Sequence, residues 1–138
     1  MYISETEVDV RYAETDAMQI VHHANYLVWF ELGRTKYMED LGISYASVEQ
    51  RGFLLPVLEI TAKYKKPFRY GETAIIKTTI QKYDGLRVIY NYAVVDKQGE
   101  LHVEGTSSHV IVTKEKFKPI NIKKHLPDLH EIFETKRI

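Results

Sequence analysis

The densest group of side chains able to do chemistry runs from Tyr12 to Asn25: Tyr12, Glu14, Asp16, Gln19, His22, His23 and Asn25. A carboxylate in such a group can attack a carbonyl or serve as the general base for a water. From about His23, Tyr26, Phe30, Gly33, Tyr37 and Leu41 recur at helical spacing, so the group lies where the chain enters a helix. The first N–H groups of a helix have no partner within it and sit at the positive end of its dipole. That end can hold an anion or stabilise an oxyanion developing on a carbonyl. Asp16, a few residues before the helix, is the best-placed carboxylate; the plainer alternative is a capping side chain that orders the turn. Glu14 reads as a solvated loop charge and Tyr12 as a strand residue packing on a sheet. His22 and His23 are adjacent and do not share a helix face, so one can face a site while the other points away.

Other chemistries find little support. The remaining histidines, His102, His109, His125 and His130, form no ligand spacing with the pair. His102 and His109 are an odd number apart and fall on opposite faces of a strand, so no metal site and no cofactor is expected. With no cysteine, thiolate ligands, disulfides and cysteine nucleophiles are excluded. No G-x-S-x-G elbow, P-loop or G-x-G-x-x-G occurs. Lys63, Lys65, Lys66 and Arg69 form a basic run that reads equally as a phosphate-binding rim or as a charged strand edge that blocks aggregation. Lys114, Lys116, Lys118, Lys123 and Lys124 read as a solvated face.

The elements that must position these residues follow from periodicity. Tyr2 to Arg11 alternates as a strand. A long helix follows; it is apolar nearly all round in its first half and should be enclosed, while Glu31 and Arg34 are spaced to pair on its surface. It stops at Gly42. Ser44 to Arg51 suggests a short second helix. Phe53 to Tyr64, Ala74 to Tyr83, Arg87 to Val95 and Leu101 to Thr113 read as four extended runs, with turns at Asp84-Gly85 and Gln98-Gly99. Pro127 opens a last helix over Asp128 to Thr135. One antiparallel sheet, joined largely by hairpins and wrapped round one long helix, is an α+β fold, and its open edge favours a homodimer.

The chain has 138 residues, 44% of them hydrophobic, and equal numbers of acidic and basic side chains, 19 of each. That suits a single domain spanning 1–138 and argues against a nucleic-acid binder. No apolar run is long enough for a membrane span, and the N-terminus lacks the features of a signal peptide, so a cytoplasmic protein is expected.

The stretch V-R-Y-A-E-T-D-A-M-Q-I-V-H-H-A-N-Y-L-V-W-F-E-L-G-R, Val10 to Arg34, resembles the hotdog-fold acyl-CoA thioesterases of the 4-hydroxybenzoyl-CoA thioesterase/YbgC type. The matching positions are Arg11, Tyr12, Glu14, Thr15, Asp16, Val21, His23, Tyr26, Leu27, Trp29, Phe30, Glu31 and Arg34. The segment Y-K-K-P-F-R-Y-G-E, Tyr64 to Glu72, and the element order are similar too. The resemblance implies a hotdog fold and a homodimer or homotetramer with active sites between subunits. It implies hydrolysis of acyl-CoA, with Asp16 as nucleophile or general base and the helix N-terminus polarising the thioester carbonyl. His23 and Tyr12 would assist, and Lys65, Lys66 and Arg69 would face the phosphates of coenzyme A. One departure is Gln19, where the family usually has glycine; Gln19 must take a positive φ at a cost on the order of 1 kcal/mol, or the loop differs. The rival to catalysis is a non-catalytic binder of acyl-CoA or acyl-carrier protein on the same fold; a dehydratase has no separate pattern.

Overall fold

A computed structural model describes all of residues 1–138. In chain order the elements are β1 (Ser4–Asp9), a 3-10 turn (Tyr12–Glu14), α1 (Asn25–Asp40), α2 (Tyr45–Gln50), β2 (Phe53–Leu54) and β3 (Val57–Tyr64). There follow β4 (Thr73–Tyr83), β5 (Arg87–Val95), β6 (Leu101–Val110), β7 (Val112–Thr113), α3 (Ile122–His125) and α4 (Pro127–Lys136). Five strands form one antiparallel sheet in the order β1-β4-β5-β6-β3, while β2 and β7 pair separately. The sheet curves round α1, the α+β hotdog arrangement expected from the sequence.

Periodicity explains why the helix settles there. Tyr26, Phe30, Gly33 and Tyr37 make the buried stripe of α1. Opposite them lie Ile76 and Ile80 of β4 and Val88, Tyr90, Tyr92 and Val94 of β5, all fully buried. Burying each large apolar side chain contributes roughly 1.5–3 kcal/mol. The Phe30 ring lies flat on Tyr92, with centroids 4.4 Å apart. Two glycines allow this closeness: a Cβ on Gly33 would overlap Thr78 and Ile76, and one on Gly105 would overlap Phe30 and the Thr61 carbonyl. From the C-terminal side, Leu129 and Phe133 of α4 join the same core.

Several expectations need correction. The run Phe53 to Tyr64 is not one strand; it breaks at Leu55-Pro56, where proline has no N–H to donate to a ladder. The run Leu101 to Thr113 likewise breaks at Ile111. Only β4, β5 and β6 are successive hairpins, because β3 crosses to the far edge beside β6. Nor is α1 enclosed all round: Val28 and Leu32 are about half exposed, as are Val57 and Leu58 of edge strand β3. Glu31 and Arg34 form no surface pair; Arg34 is buried and has no ion-pair partner. The sheet positions the N-terminus of α1 through loops at one end. No helix is long and apolar enough to cross a membrane.

Candidate active site

The loop between β1 and α1 takes its shape from its own side chains. The Asp16 carboxylate accepts the Met18 N–H at 2.8 Å, the Asx-turn geometry that aspartate favours. The Gln19 N–H reaches the Asp16 carbonyl and the Asp16 N–H reaches the Ile20 carbonyl, each at 2.9 Å. The turn needs a left-handed residue, and Gln19 supplies it with φ at 65°. The departure from glycine therefore leaves the backbone shape intact, at a cost on the order of 1 kcal/mol.

Glu14 overturns its reading as a solvated charge, being only 3% exposed. Its carboxylate accepts the Trp29 indole N–H at 2.9 Å and the Arg11 N–H at 2.9 Å. Its carbonyl accepts the His22 N–H at 2.8 Å and the Asn25 side-chain amide at 3.1 Å. A buried indole N–H needs an acceptor. Trp29, in the apolar first turns of the helix, was the one signal in the sequence that could have found this partner. Through Glu14, loop and helix become one body.

At the start of α1, the His22 ring accepts the Ala24 N–H at 3.1 Å. The Asn25 and Leu27 N–H groups go to the His22 and Ala24 carbonyls, whereas those of His23 and Tyr26 have no acceptor within the chain. The two histidine rings stack with centroids 4.2 Å apart. Across from them, the Tyr64 hydroxyl donates to the His23 carbonyl at 3.1 Å. Tyr64 was not singled out in the sequence; the topology alone brings the end of β3 here.

A cleft of about 250 Å³ opens at this point, lined by Asp16, Met18, Ile20, Val21, His23, Tyr26, Tyr64, Lys65, Lys66 and Pro67. It joins Asp16, His23, Lys65 and Lys66. Tyr12 and Arg69 are not in it. They line a neighbouring cleft of about 460 Å³ with Thr15, Gln19 and Tyr70, and Asp16 forms part of both. Tyr12 is 77% exposed rather than packed on the sheet, and its ring meets Tyr70 edge-on. Lys63 stays on β3 in a separate polar hollow. Lys66 pairs with Glu100 at 2.8 Å and Lys65 with Glu104 at 3.6 Å, exposed contacts of little strength that a phosphate could displace.

A second polar region lies midway along α1. A cavity of about 270 Å³ is lined by Glu31, Arg34, Thr35, Tyr45, Glu49 and Leu55. Behind it the Tyr92 hydroxyl, Ser107 and His109 form a chain of hydrogen bonds at 2.6 and 2.7 Å. Burial, helped by the Arg34 charge, pushes His109 down to about 4. Burial also raises the Tyr45 and Tyr90 phenols. Asp96, Glu100 and His102 hold potential metal-ligand atoms within 4.8 Å of one another, but both ring nitrogens of His102 are hydrogen-bonded already.

Comparison with known proteins identifies the family. A family model described as the thioesterase-like superfamily matches residues 10–129. The Bacillus subtilis protein named "Putative acyl-CoA thioesterase YneP" is 51% identical over 134 residues, 97% of each chain. The acyl-CoA thioester hydrolase YbgC of Escherichia coli is 27% identical, over 86% of this chain and 89% of its own. The solved structure of a DHNA-CoA thioesterase from Staphylococcus aureus superposes with a TM-score of 0.94 at 40% identity, covering 97% of this chain and 90% of the other.

Proposed function

The chain belongs to the thioesterase-like superfamily and is an acyl-CoA thioesterase; we propose that Asp16 carries its chemistry at the N-terminus of α1. The observation that supports this is the shared cleft: Asp16, His23, Lys65 and Lys66 line it together, and the His23 N–H makes no hydrogen bond within the chain. In this reading the thioester carbonyl accepts a hydrogen bond from that N–H, and the helix dipole stabilises the oxyanion that forms. Asp16 attacks the carbonyl carbon, or takes the proton of the water that does. The C–S bond then breaks, and the coenzyme A thiolate leaves and is protonated; on the nucleophilic route water then hydrolyses the acyl-Asp16 anhydride, which releases the free acid and restores the carboxylate. His23 orients Asp16 or the water. Tyr12 and Arg69 act from the neighbouring cleft, and Lys65, Lys66 and Arg69 take the phosphates of coenzyme A.

The exposed apolar residues Val57 and Leu58 of β3 and Val28 and Leu32 of α1 favour a homodimer in which edge strand β3 meets its own copy, covering this surface. The same reading makes it a cytoplasmic enzyme.

The test is thiol release from a panel of short, long and aromatic acyl-CoAs, with wild type and Asp16→Asn side by side. The protein has no cysteine of its own, so all signal is free coenzyme A. Turnover by wild type and loss in the variant supports the assignment. Binding of acyl-CoA without turnover of any ester would favour a non-catalytic binder instead. Label found on Asp16 after a single turnover in ¹⁸O-water identifies the nucleophilic route, because a general base never acquires it.

A further inference from the structure

Three consecutive residues of the cleft wall are held by a single side chain and its backbone. The Lys65 and Lys66 N–H groups both donate to the His102 carbonyl, at 2.8 and 3.0 Å. The His102 ring places Nδ1 3.2 Å from the Pro67 carbonyl. Its other nitrogen, Nε2, lies 2.9 Å from the Asp96 carboxylate. One face of the ring stacks on Phe68 with centroids 3.8 Å apart, and the residue is 1% exposed.

The anchor is itself fixed. Asp96 belongs to the turn between β5 and β6, and its second oxygen accepts the N–H groups of Gln98 and Glu100. The bond from His102 holds its carboxyl below the usual range. A bulge makes the arrangement possible. Val94 pairs with Val103 and Val95 with Leu101, so His102 is the extra residue and its carbonyl is free to turn toward the loop.

We propose that His102, anchored by Asp96, is a positioning residue for the nucleotide end of the substrate: it fixes the Lys65–Pro67 segment so that both lysines meet the phosphates in a preformed arrangement. This rests on the reading that Lys65 and Lys66 bind those phosphates. Preorganisation removes an ordering cost that substrate binding would otherwise have to overcome, so its loss appears in KM rather than in kcat.

The test compares an acyl-CoA that the enzyme hydrolyses with the same acyl group on N-acetylcysteamine, which keeps the thioester and lacks the phosphates. The variants are Asp96→Ala, His102→Phe and the double variant Lys65→Ala, Lys66→Ala. His102→Phe keeps a ring against Phe68 and loses both side-chain bonds; Asp96→Ala leaves the ring in place and is the safer fold. The expected result for Asp96→Ala is a KM about tenfold higher for the CoA ester, with kcat and the truncated ester changed less than about twofold. Equal losses on both thioesters, or a fall in kcat alone, would make His102 a fold residue only and overturn the proposal. Selective loss in the double lysine variant with none in Asp96→Ala overturns the positioning role while the phosphate reading stands. No selective loss in the double lysine variant removes the phosphate reading, and the proposal with it.

Discussion

Glu14 packs against α1 and Arg34 belongs to it; both are charged and both are nearly withdrawn from water. Glu14, near the helix start, spends its hydrogen-bonding capacity on Trp29 and on loop backbone. Arg34, midway along, keeps a buried Nη1 with no partner beside a cavity lined also by Glu31, Tyr45 and Glu49. Around Glu14 the polar groups shape a loop and leave the Asp16 side chain facing two clefts. Around Arg34 they face one another, and burial moves the pKa of His109 and of Tyr45 and Tyr90. Shifted pKa values are often taken to mark functional sites. Here the largest, those of Tyr37, Tyr45, Tyr90 and His109, fall on residues that do not line the cleft, and the cleft is recognised by geometry.

That contrast can be broken, first at Asp16. Asp16→Asn should lower kcat by about 10²–10⁴-fold and leave the melting temperature near wild type, because its side chain serves only a local turn. A large loss of stability with modest loss of rate would put Asp16 in the same class as Glu14.

The closed cluster should show itself in acid. His109 is held neutral in the folded state with a pKa of about 4, against 6.5 ordinarily. As pH falls below 6.5, the unfolded chain takes up this proton first, so stability is full above 6.5 and declines toward 4. The loss is on the order of 3 kcal/mol. Urea melts between pH 7 and 4 should be less steeply pH-dependent in His109→Gln; an identical pH profile would mean that His109 is not the group responsible.

Glu14→Ala should destabilise by about 1–3 kcal/mol through the orphaned Trp29 N–H, lowering the melting temperature by several degrees. Its kcat should fall less than that of Asp16→Asn. If it instead abolished turnover in a protein as stable as wild type, the division between shaping and reacting carboxylates would be wrong. The smallest effect belongs to Gln19→Gly, which relieves the positive φ and should stabilise by up to about 1 kcal/mol, read as a small rise in denaturant midpoint.

Much of the helix and its inward stripe was legible, because Tyr26, Phe30, Gly33 and Tyr37 carry a 3.6-residue period that any enclosing sheet would use. The paired face Val88, Tyr90, Tyr92 and Val94 was legible by the period of two. Strand breaks at Pro56 and Ile111 were not read, and neither was the crossing of β3 to the far edge, since partner choice depends on chain segments far apart. Arg34 misled because i, i+3 spacing to Glu31 says nothing of which face is covered.

By itself the sequence determined that a carboxylate and two histidines flank the start of a helix with an apolar stripe, because local spacing sets which side chains a helix or strand presents. Only the tertiary structure decided that Glu14 meets Trp29, 15 residues on, and that His102 reaches Pro67, 35 residues back. It alone put Lys65 and Lys66 in the cleft with Asp16 and moved Arg69 and Tyr12 to the next one. Such contacts are chosen by the competition of the whole chain for buried hydrogen-bond partners and packed volume, and no window of neighbouring residues contains that competition.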